Sequence, residues 1–380
     1  MQLTGSDIIV ECLLEQGADT VFGYPGGAVL NIYDSLYKYS DRIRHIITSH
    51  EQGACHAADG FARATGKTGV VIATSGPGAT NLVTGIATAY MDSIPLVAIT
   101  GNVSCNLLGL DSFQEVDITG ISMPITKHNF IVKDISELAD TLRLAFKIAG
   151  SGRKGPVLVD IPKDITIAKC EYTPAPAADC ATASDISAQE LERAAALIAG
   201  SERPYIYAGG GVIASGASEE LKRLAELCDA PVSCSLMGQG AYDQTDRRYI
   251  GMLGMHGTVK AAAALNGCDL FIAVGTRFSD RVIGDPNQFG KNAKIIHIDI
   301  DPAEFNKNIE ADVVVKGDVK AVLALLCAKI SPKNSPEWTK EIIDGDFGEP
   351  LQSGTEALPV TPQAVIETLD RLTDGEAVIC

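Results

Sequence analysis

The chain has 380 residues, of which 46% are hydrophobic, so it is long enough for two or three domains with large buried cores. Its formal net charge of −17 disfavours nucleic acid or an anionic membrane surface as the main partner. No apolar run reaches the roughly 18 residues that a membrane span needs, and the ten cysteines include no Cys-x-x-Cys pair, so we expect a protein of the reducing cytoplasm.

Strands and helices alternate along the first 165 residues. Residues 1–17 read as a helix that begins directly at the N-terminus. We predict strands at residues 19–25, 42–48, 69–76, 95–101 and 155–162, with helices at residues 27–39, after residue 49 and at 79–93. Near-continuous apolar strands separated by helices indicate a parallel sheet covered on both faces, in which ligands bind beyond the carboxyl ends of the strands.

The rest of the chain predicts a second unit and part of a third. Residues 166–186 are rich in Pro, Ala, Ser and Thr and read as a linker. Residues 187–330 repeat the strand–helix pattern, residues 331–360 read as a second linker, and residues 361–380 read as a helix, a turn and a strand just beginning. The predicted class is α/β, with two doubly wound parallel-sheet domains and the start of a third.

Glu51 lies in the stretch "SHEQ", where a strand turns into a helix of alanine and glycine. Ser49 is a good N-cap, and Gln52 lies three residues on, as a capping box requires. An ordinary first-turn glutamate therefore explains the position on local grounds. A helix of small residues packs closely against its neighbours, however, and partial desolvation would raise the pKa of Glu51 toward the range of a proton shuttle.

Three glycine-rich turns follow predicted strands. "GYPGG" and "SGPGATN" lie in the first domain, and the second is a poor dinucleotide fingerprint because Asn81 stands in place of the third glycine. "AGGGVIASG" in the second domain precedes a helix, and "IIHIDID" ends a strand in Asp299 and Asp301, which suits a nucleotide with sugar hydroxyls. An NAD-dependent oxidoreductase using the second domain, and a plain α/β domain with glycine turns, both stay open.

In order along the chain, several stretches resemble the thiamine diphosphate enzymes, and within them the acetolactate synthase (acetohydroxyacid synthase) large-subunit family. The similar stretches are "FGYPGGAVLNIYDSLY", "HEQGACHAADGFARATG", "DSFQEVDITGISMPITKHNF", "GPVLVDIPKDI", "GMLGMHGT", "VGTRFSDRV" and "IIHIDIDPAEFNKN". The resemblance implies a pyrimidine-binding first domain (1–165), a middle FAD-binding domain (187–330) and a C-terminal diphosphate-binding domain beginning at 361.

The resemblance also implies the reaction: pyruvate is decarboxylated and its two-carbon unit is joined to a second 2-keto acid, giving 2-acetolactate or, from 2-oxobutyrate, 2-aceto-2-hydroxybutyrate. Glu51 would exchange a proton with the aminopyrimidine of thiamine diphosphate, which carries the carbanion chemistry. A simple 2-keto acid decarboxylase or oxidase of the same superfamily remains an alternative. The other residues implied at this site are Tyr24, Pro25, Gly26, Gly27, Pro77 and Asn81 at the cofactor, and Phe113, Gln114 and Lys163 in the substrate channel.

The flavin implied by the resemblance has a scaffolding role, without hydride transfer. The residues that match the family's flavin-contacting stretches are Arg153, Gly210, Gly211, Leu236, Met255, His256, Gly257, Gly275, Arg277, Asp280, Arg281, Asp299, Ile300, Glu304 and Asp318.

The family's third domain holds the diphosphate through Mg²⁺ with a Gly-Asp-Gly motif, which is absent from these 380 residues. We therefore expect no metal site in this chain and no turnover by the chain alone, and a non-catalytic nucleotide-binding fragment stays a possible reading. The resemblance further implies a homodimer or tetramer and a small regulatory subunit.

Overall fold

The computed structural model describes residues 1–180, 185–333, 336–347 and 360–379. The chain divides into two compact units, Met1–Ala183 and Ser184–Cys380. Each unit contains one six-stranded parallel sheet with helices packed on it. The predicted α/β class with two doubly wound sheets is confirmed.

The first unit has eight strands and eight helices among its described residues. The strands are β1 (Gln2–Thr4), β2 (Thr20–Gly23), β3 (Arg44–Ile47), β4 (Gly69–Ala73), β5 (Leu96–Asn102), β6 (His128–Ile131), β7 (Pro156–Pro162) and β8 (Lys169–Glu171). The helices are α1 (Gly5–Glu15), α2 (Leu30–Lys38), α3 (Glu51–Thr65), α4 (Pro77–Thr80), α5 (Val83–Asp92), α6 (Ile118–Ser122), α7 (Leu138–Gly150) and α8 (Lys163–Ile167). The parallel sheet has the order β3-β2-β4-β5-β7-β6.

The small-residue helix α3 packs as closely as its composition predicts. Strands β4, β5 and β7 are buried along their whole length, as their continuous apolar sequences require. Helices α3 and α5 cover one face of these strands, while α1, α2 and α7 cover the other. A Cβ atom built on Gly69 would lie 2.3 Å from Ala58 O, and one on Gly85 would lie 2.5 Å from Cys55 Cβ. The backbone of α3 therefore approaches β4 and α5 to a distance that only small residues allow.

Two predictions for the ends of the first unit are wrong. Residues 1–17 do not form a helix throughout, because β1 precedes α1, and residues 166–171, assigned to a linker, contain the end of α8 and the strand β8. β1 and β8 pair antiparallel, with Leu3 opposite Cys170. The partners are far apart in sequence, so local patterns could not reveal the pairing. The edge strand β6, which is only four residues long, was also missed.

The second unit has six strands and eight helices among its described residues. The strands are β9 (Pro204–Ala208), β10 (Val232–Cys234), β11 (Tyr249–Met252), β12 (Leu270–Val274), β13 (Lys294–Asp299) and β14 (Val313–Lys316). The helices are α9 (Ala188–Gly200), α10 (Gly210–Ser215), α11 (Ser218–Cys228), α12 (Val259–Gly267), α13 (Asp280–Ile283), α14 (Val319–Cys327), α15 (Pro336–Asp344) and α16 (Pro362–Thr373). The parallel sheet has the order β11-β10-β9-β12-β13-β14.

The second linker also contains structure that the sequence did not predict. Helix α15 lies within residues 331–360, and its Trp338 is 5% exposed and donates a hydrogen bond from Nε1 to Pro204 O at 2.9 Å. The aromatic anchor explains why this Pro- and Ser-flanked segment packs on the second core. Strand β11 was not predicted, and residues 376–379, expected to begin a strand, form none. The parts of the linkers at 181–184, 334–335 and 348–359, and Cys380, lie outside the described residues.

Two further features of the described residues bear on the composition argument. None of their helices is both long enough and apolar enough to cross a membrane. All nine described cysteines are free thiols. Burial raises the pKa of Cys55, Cys228 and Cys268 to about 12, so these thiols stay protonated near neutral pH.

Candidate functional site

The first sheet has a topological switch point between β2 and β4. From β2 the chain passes through α2 to β3 on one side, whereas from β4 it passes through α5 to β5 on the other side and on the opposite face. Loops that diverge in this way leave a crevice at the carboxyl ends of the strands. The loops that border it are residues 24–27 after β2 and residues 74–77 after β4.

Thr74 holds the two loops of this crevice together. Its Oγ1 accepts a hydrogen bond from Ala28 N at 3.2 Å, and a Cβ atom built on Gly26 would lie 2.5 Å from Thr74 Cβ. The glycine is thus required for this close approach. Sequence reasoning missed Thr74, and its only signal was its position immediately after a buried strand.

Glu51 is the first residue of α3 and is 8% exposed. The prediction that Ser49 caps this helix is wrong, because the N-cap is His50, whose Nδ1 accepts a hydrogen bond from Gln52 N at 3.1 Å. An imidazole nitrogen replaces the hydroxyl here because the helix begins one residue later than a Ser49 cap would set. The capping box with Gln52 is therefore not formed.

The carboxylate of Glu51 faces the switch-point crevice with one oxygen held and one open. Asn81 Nδ2 donates to Glu51 Oε2 at 3.0 Å. Among the described residues no hydrogen-bond donor reaches Oε1, although a Cβ atom built on Gly78 would lie 3.2 Å from it. Two sequence-predicted residues thus meet in space, and the second carboxylate oxygen is left open to a hydrogen-bonding group.

Tyr33 of α2 lies near Glu51 and was not predicted from sequence. Its hydroxyl is buried without a hydrogen-bond partner among the described residues. Burial, and then the negative charge of Glu51, raise the pKa of Tyr33. A Cβ atom built on Gly23 would lie 2.6 Å from this hydroxyl, which places it beneath the end of β2.

The remaining predicted residues of the first unit divide by position. Gln114 packs its backbone on the β4 loop, because a Cβ atom on Gly76 would lie 2.7 Å from Gln114 O. Phe113 is 87% exposed. Lys163 follows the carboxyl end of β7, and β7 lies two strands from β4 in the sheet. Arg153 precedes β7 and donates from Nε to Ser93 Oγ at 2.8 Å, at the opposite edge. Tyr24, Pro25, Gly27 and Pro77 lie in the loops of the crevice itself.

The second sheet has its own switch point, between β9 and β12. The chain moves from β9 to β10 and β11 on one side, and from β12 to β13 and β14 on the other. Every flavin candidate of this unit follows the carboxyl end of one of the six strands. They are Gly210 and Gly211 after β9; Leu236 after β10; Met255, His256 and Gly257 after β11; Gly275, Arg277, Asp280 and Arg281 after β12; Asp299, Ile300 and Glu304 at or after β13; and Asp318 after β14.

Glycines bring the loops at the second switch point into backbone contact. Gly211 N donates to Gly275 O at 2.9 Å, and a Cβ atom built on Gly211 would lie 2.7 Å from Gly275 Cα. Gly275 itself has a φ of +56°, which disfavours a side chain at this position. The chain therefore presents bare backbone where α10 begins, which fits the close approach of a nucleotide phosphate.

Polar and apolar groups at the same edge are arranged for an extended ligand. Leu236 and Met255 are 73% and 64% exposed. Arg281 Nη1 contacts Met255 Sδ at 3.9 Å. Asp318 accepts hydrogen bonds from Ser215 Oγ at 2.7 Å and Ala321 N at 3.2 Å, so it caps α14.

Within the described residues, no group of three or more His, Cys, Asp or Glu side chains could hold a metal ion.

Two protein-family models match this chain, one in each unit. Residues 3–121 match the family model described as the thiamine pyrophosphate enzyme N-terminal TPP binding domain, and residues 191–326 match the thiamine pyrophosphate enzyme central domain. Both switch-point crevices lie largely within these matched regions.

Curated relatives match nearly the whole of this chain, which spans 62% to 68% of the length of the three described here. An acetolactate synthase large subunit from Mycobacterium tuberculosis is 48% identical over 99% of this chain and 62% of its own length. A probable acetolactate synthase large subunit from Methanocaldococcus jannaschii is 48% identical over 97% of this chain and 63% of its own length. The acetolactate synthase isozyme 3 large subunit of Escherichia coli is 43% identical over 99% of this chain and 68% of its own length. The chain therefore belongs to the acetolactate synthase large-subunit family of thiamine diphosphate enzymes.

Proposed function

We propose that this chain supplies the aminopyrimidine-activating and flavin-binding parts of an acetolactate synthase, which decarboxylates pyruvate and joins the two-carbon unit to pyruvate or 2-oxobutyrate. The observation that carries the proposal is Glu51, a shielded carboxylate at a switch-point crevice with one oxygen held by Asn81 and the other open. Family membership supplies the reaction class. We assign the unit Met1–Ala183 to the pyrimidine and the unit Ser184–Cys380 chiefly to FAD.

Thiamine diphosphate, when bound, supplies the nucleophilic carbon for this reaction. Glu51 holds or accepts a proton at Oε1, and Asn81 fixes the carboxylate by its bond to Oε2. Glu51 lies in the first turn of α3, so its carboxylate is near the backbone N–H groups that have no partner within the helix. Tyr24, Pro25, Gly26, Gly27 and Pro77 line the crevice where the aminopyrimidine would be held.

Substrate selection rests on residues at the rim of the same edge. Phe113 would offer an exposed apolar surface to a bound substrate, and Gln114 is fixed by its backbone contact with Gly76. Lys163 attracts anionic 2-keto acids, because a positive charge near a channel mouth raises the local concentration of anions.

The second unit binds FAD by its glycine loops and exposed apolar side chains, with Arg277 and Arg281 offsetting the diphosphate charge. Arg153 of the first unit is the one flavin candidate outside this unit. We infer a structural role for the flavin, since the reaction is redox-neutral overall. Bound flavin absorbs visible light whereas NAD does not, so the absorption spectrum of the purified chain, freed of unbound nucleotide, separates this reading from an NAD-dependent oxidoreductase.

Several further assignments follow from the proposed function. Mg²⁺ would anchor the cofactor diphosphate, and the assembly would be a homodimer or tetramer in the cytoplasm. A small regulatory subunit is a further proposed partner, because the E. coli relative is named a large subunit.

The test is a chimera that joins residues 1–380 to the remaining part of the E. coli isozyme 3 large subunit, which extends beyond the match. The purified chimera receives pyruvate, thiamine diphosphate, Mg²⁺ and FAD, and its products are separated. We expect acetolactate. Acetaldehyde would indicate a simple decarboxylase, acetyl phosphate with peroxide would indicate an oxidase, and absence of all three with retained nucleotide binding would indicate a non-catalytic nucleotide-binding protein.

A further inference from the structure

The segment between β5 and α6 carries Phe113 and Gln114 on a loop that one carboxylate closes. We propose that Glu115 is a positioning residue for the substrate-facing pair Phe113 and Gln114, which it holds at the first crevice by binding the backbone of its own loop. This inference rests on the proposed function, because it takes Phe113 and Gln114 as substrate-facing. Glu115 itself touches neither substrate nor cofactor in this account.

The contacts of Glu115 form a closed ring of backbone. Its Oε1 accepts a hydrogen bond from Gly109 N, and its Oε2 accepts one from Ser112 N at 2.9 Å. Glu115 N in turn donates to Ser112 O at 3.0 Å. Ser112 Oγ donates to Leu107 O at 3.0 Å, which ties the ring to the preceding 3₁₀ turn. Both oxygens of one side chain thus organise the turn that precedes Phe113.

The conformation that Glu115 holds is one that the loop would not keep alone. Asp111 and Gln114 have φ angles of +53° and +58°, in the left-handed region that non-glycine residues avoid. Gly109, at +78°, shares this region. Left-handed non-glycine residues persist only where surrounding structure fixes them. The carboxylate of Glu115 is the group that bridges this stretch, from Gly109 to the residue after Gln114.

The left-handed turn at Gln114 has a direct consequence at the crevice. It sets the Gln114 backbone against Gly76, where an added Cβ atom would lie 2.7 Å from Gln114 O and 2.9 Å from its Cα. Gly76 is the N-cap of α4 at the end of the β4 loop, which leads into Gly78 and Asn81 beside Glu51. Relaxation of the Glu115 ring would therefore withdraw Gln114 from this loop and carry the exposed Phe113 with it.

Glu115 remains charged under the conditions in which it must act. The backbone hydrogen bonds from Gly109 and then from Ser112 lower its pKa, since both stabilise the ionised form.

Asp134 provides a matched control in the same unit. It is also an exposed carboxylate with a lowered pKa, and it accepts hydrogen bonds from Ser136 N and Ser136 Oγ at 2.8 Å each. It lies after β6, outside residues 109–115.

The first measurement is amide hydrogen exchange on the 380-residue chain. Glu115→Gln retains one acceptor oxygen and loses the charge, so exchange at residues 109–115 should quicken about tenfold, whereas Asp134→Asn should leave that segment unchanged. Glu115→Asp keeps the charge and should restore part of the protection. If Glu115→Gln fails to fold, the milder Glu115→Asp takes its place, with about a threefold increase expected.

The second measurement is the kinetics of the active chimera. Glu115→Gln should raise KM for pyruvate about tenfold with a smaller change in kcat and unchanged flavin binding, while Asp134→Asn changes none of these. Unaltered exchange at 109–115, or an unaltered KM, overturns the proposal. An unsubstituted chimera that produces no acetolactate overturns the proposed function instead, and the positioning role fails with it.

Discussion

The two units share an architecture, yet their crevices differ in what they present. In the first, a carboxylate that is 8% exposed faces the crevice with one open oxygen, near a tyrosine hydroxyl that lacks a partner among the described residues. In the second, glycine backbone follows β9 and β12, and the exposed apolar side chains of Leu236 and Met255 follow β10 and β11. The carboxyl end of a parallel sheet can thus serve two purposes. Where a few polar groups are shielded, it suits a reaction at one atom. Where many contacts are spread over several loops, it suits the binding of a long ligand.

The largest effect should come from the shielded carboxylate. Glu51→Gln in the chimera should lower kcat about 10²- to 10⁴-fold, because the amide cannot relay a proton. Flavin absorption should be unchanged, since Glu51 lies in the other unit. The exposed Glu137→Gln serves as the control. If Glu51→Gln lost flavin as well as activity, the two crevices would not be independent, and the contrast drawn between them would be wrong.

The glycine contact in the second unit should give the next largest effect. In Gly211→Ala the added Cβ would meet Gly275 Cα at 2.7 Å, and backbone cannot move aside as a flexible side chain can. Overpacking of this kind costs about 1–3 kcal/mol, so flavin affinity or the stability of the unit should fall accordingly. Gly200→Ala, with nothing within 4 Å of its new Cβ, should change neither in a flavin titration with thermal melts.

A buried carboxylate in the first sheet predicts a pH effect of intermediate size. Asp160 of β7 is 1% exposed and accepts hydrogen bonds at 2.6 Å from Thr100 Oγ1 and Asn102 Nδ2. Burial raises the pKa of Asp160 to about 6, so the folded state holds its proton at pH values where the unfolded state has released it. Its contribution to the free energy of unfolding is therefore complete below about pH 4 and decreases as pH rises through about 6, by about 3 kcal/mol in total.

The matched comparison is Asp160→Asn, which cannot titrate. The difference between the two proteins in unfolding free energy, measured by denaturant titration at pH values from 4 to 7, should follow this curve. A difference that does not vary with pH would show that Asp160 ionises normally in the folded chain.

The smallest expected effect concerns the hydroxyl near Glu51. Tyr33→Phe removes a buried polar atom that has no partner among the described residues, so the unfolding free energy should rise by about 1 kcal/mol. Tyr37 on the same helix is 84% exposed, and Tyr37→Phe should be neutral. If Tyr33→Phe instead destabilised the chain, the Tyr33 hydroxyl would have to form a hydrogen bond in solution, and the first crevice would not contain an unpartnered buried hydroxyl.

Sequence patterns predicted the parts of this structure that depend on local periodicity. The apolar runs of β4, β5 and β7 identified central strands, and the strand–helix alternation placed Glu51 and the glycine turns at one edge. The cap of α3 was misplaced because His50 and Ser49 can both cap a helix, and only the backbone decides between them. The pairing of β1 with β8, the role of Thr74 and the contact of Gly76 with Gln114 join segments far apart in sequence, which no local pattern encodes.

The most direct test measures exchange of the C2 proton of thiamine diphosphate with deuterium in the chimera, followed by proton NMR. The account predicts rapid exchange in the unsubstituted protein and in Glu137→Gln, and slowing of at least about 10²-fold in Glu51→Gln. If Glu51→Gln exchanged the proton as fast as the unsubstituted protein, Glu51 would not be the relay, and the role assigned to the first crevice would be wrong.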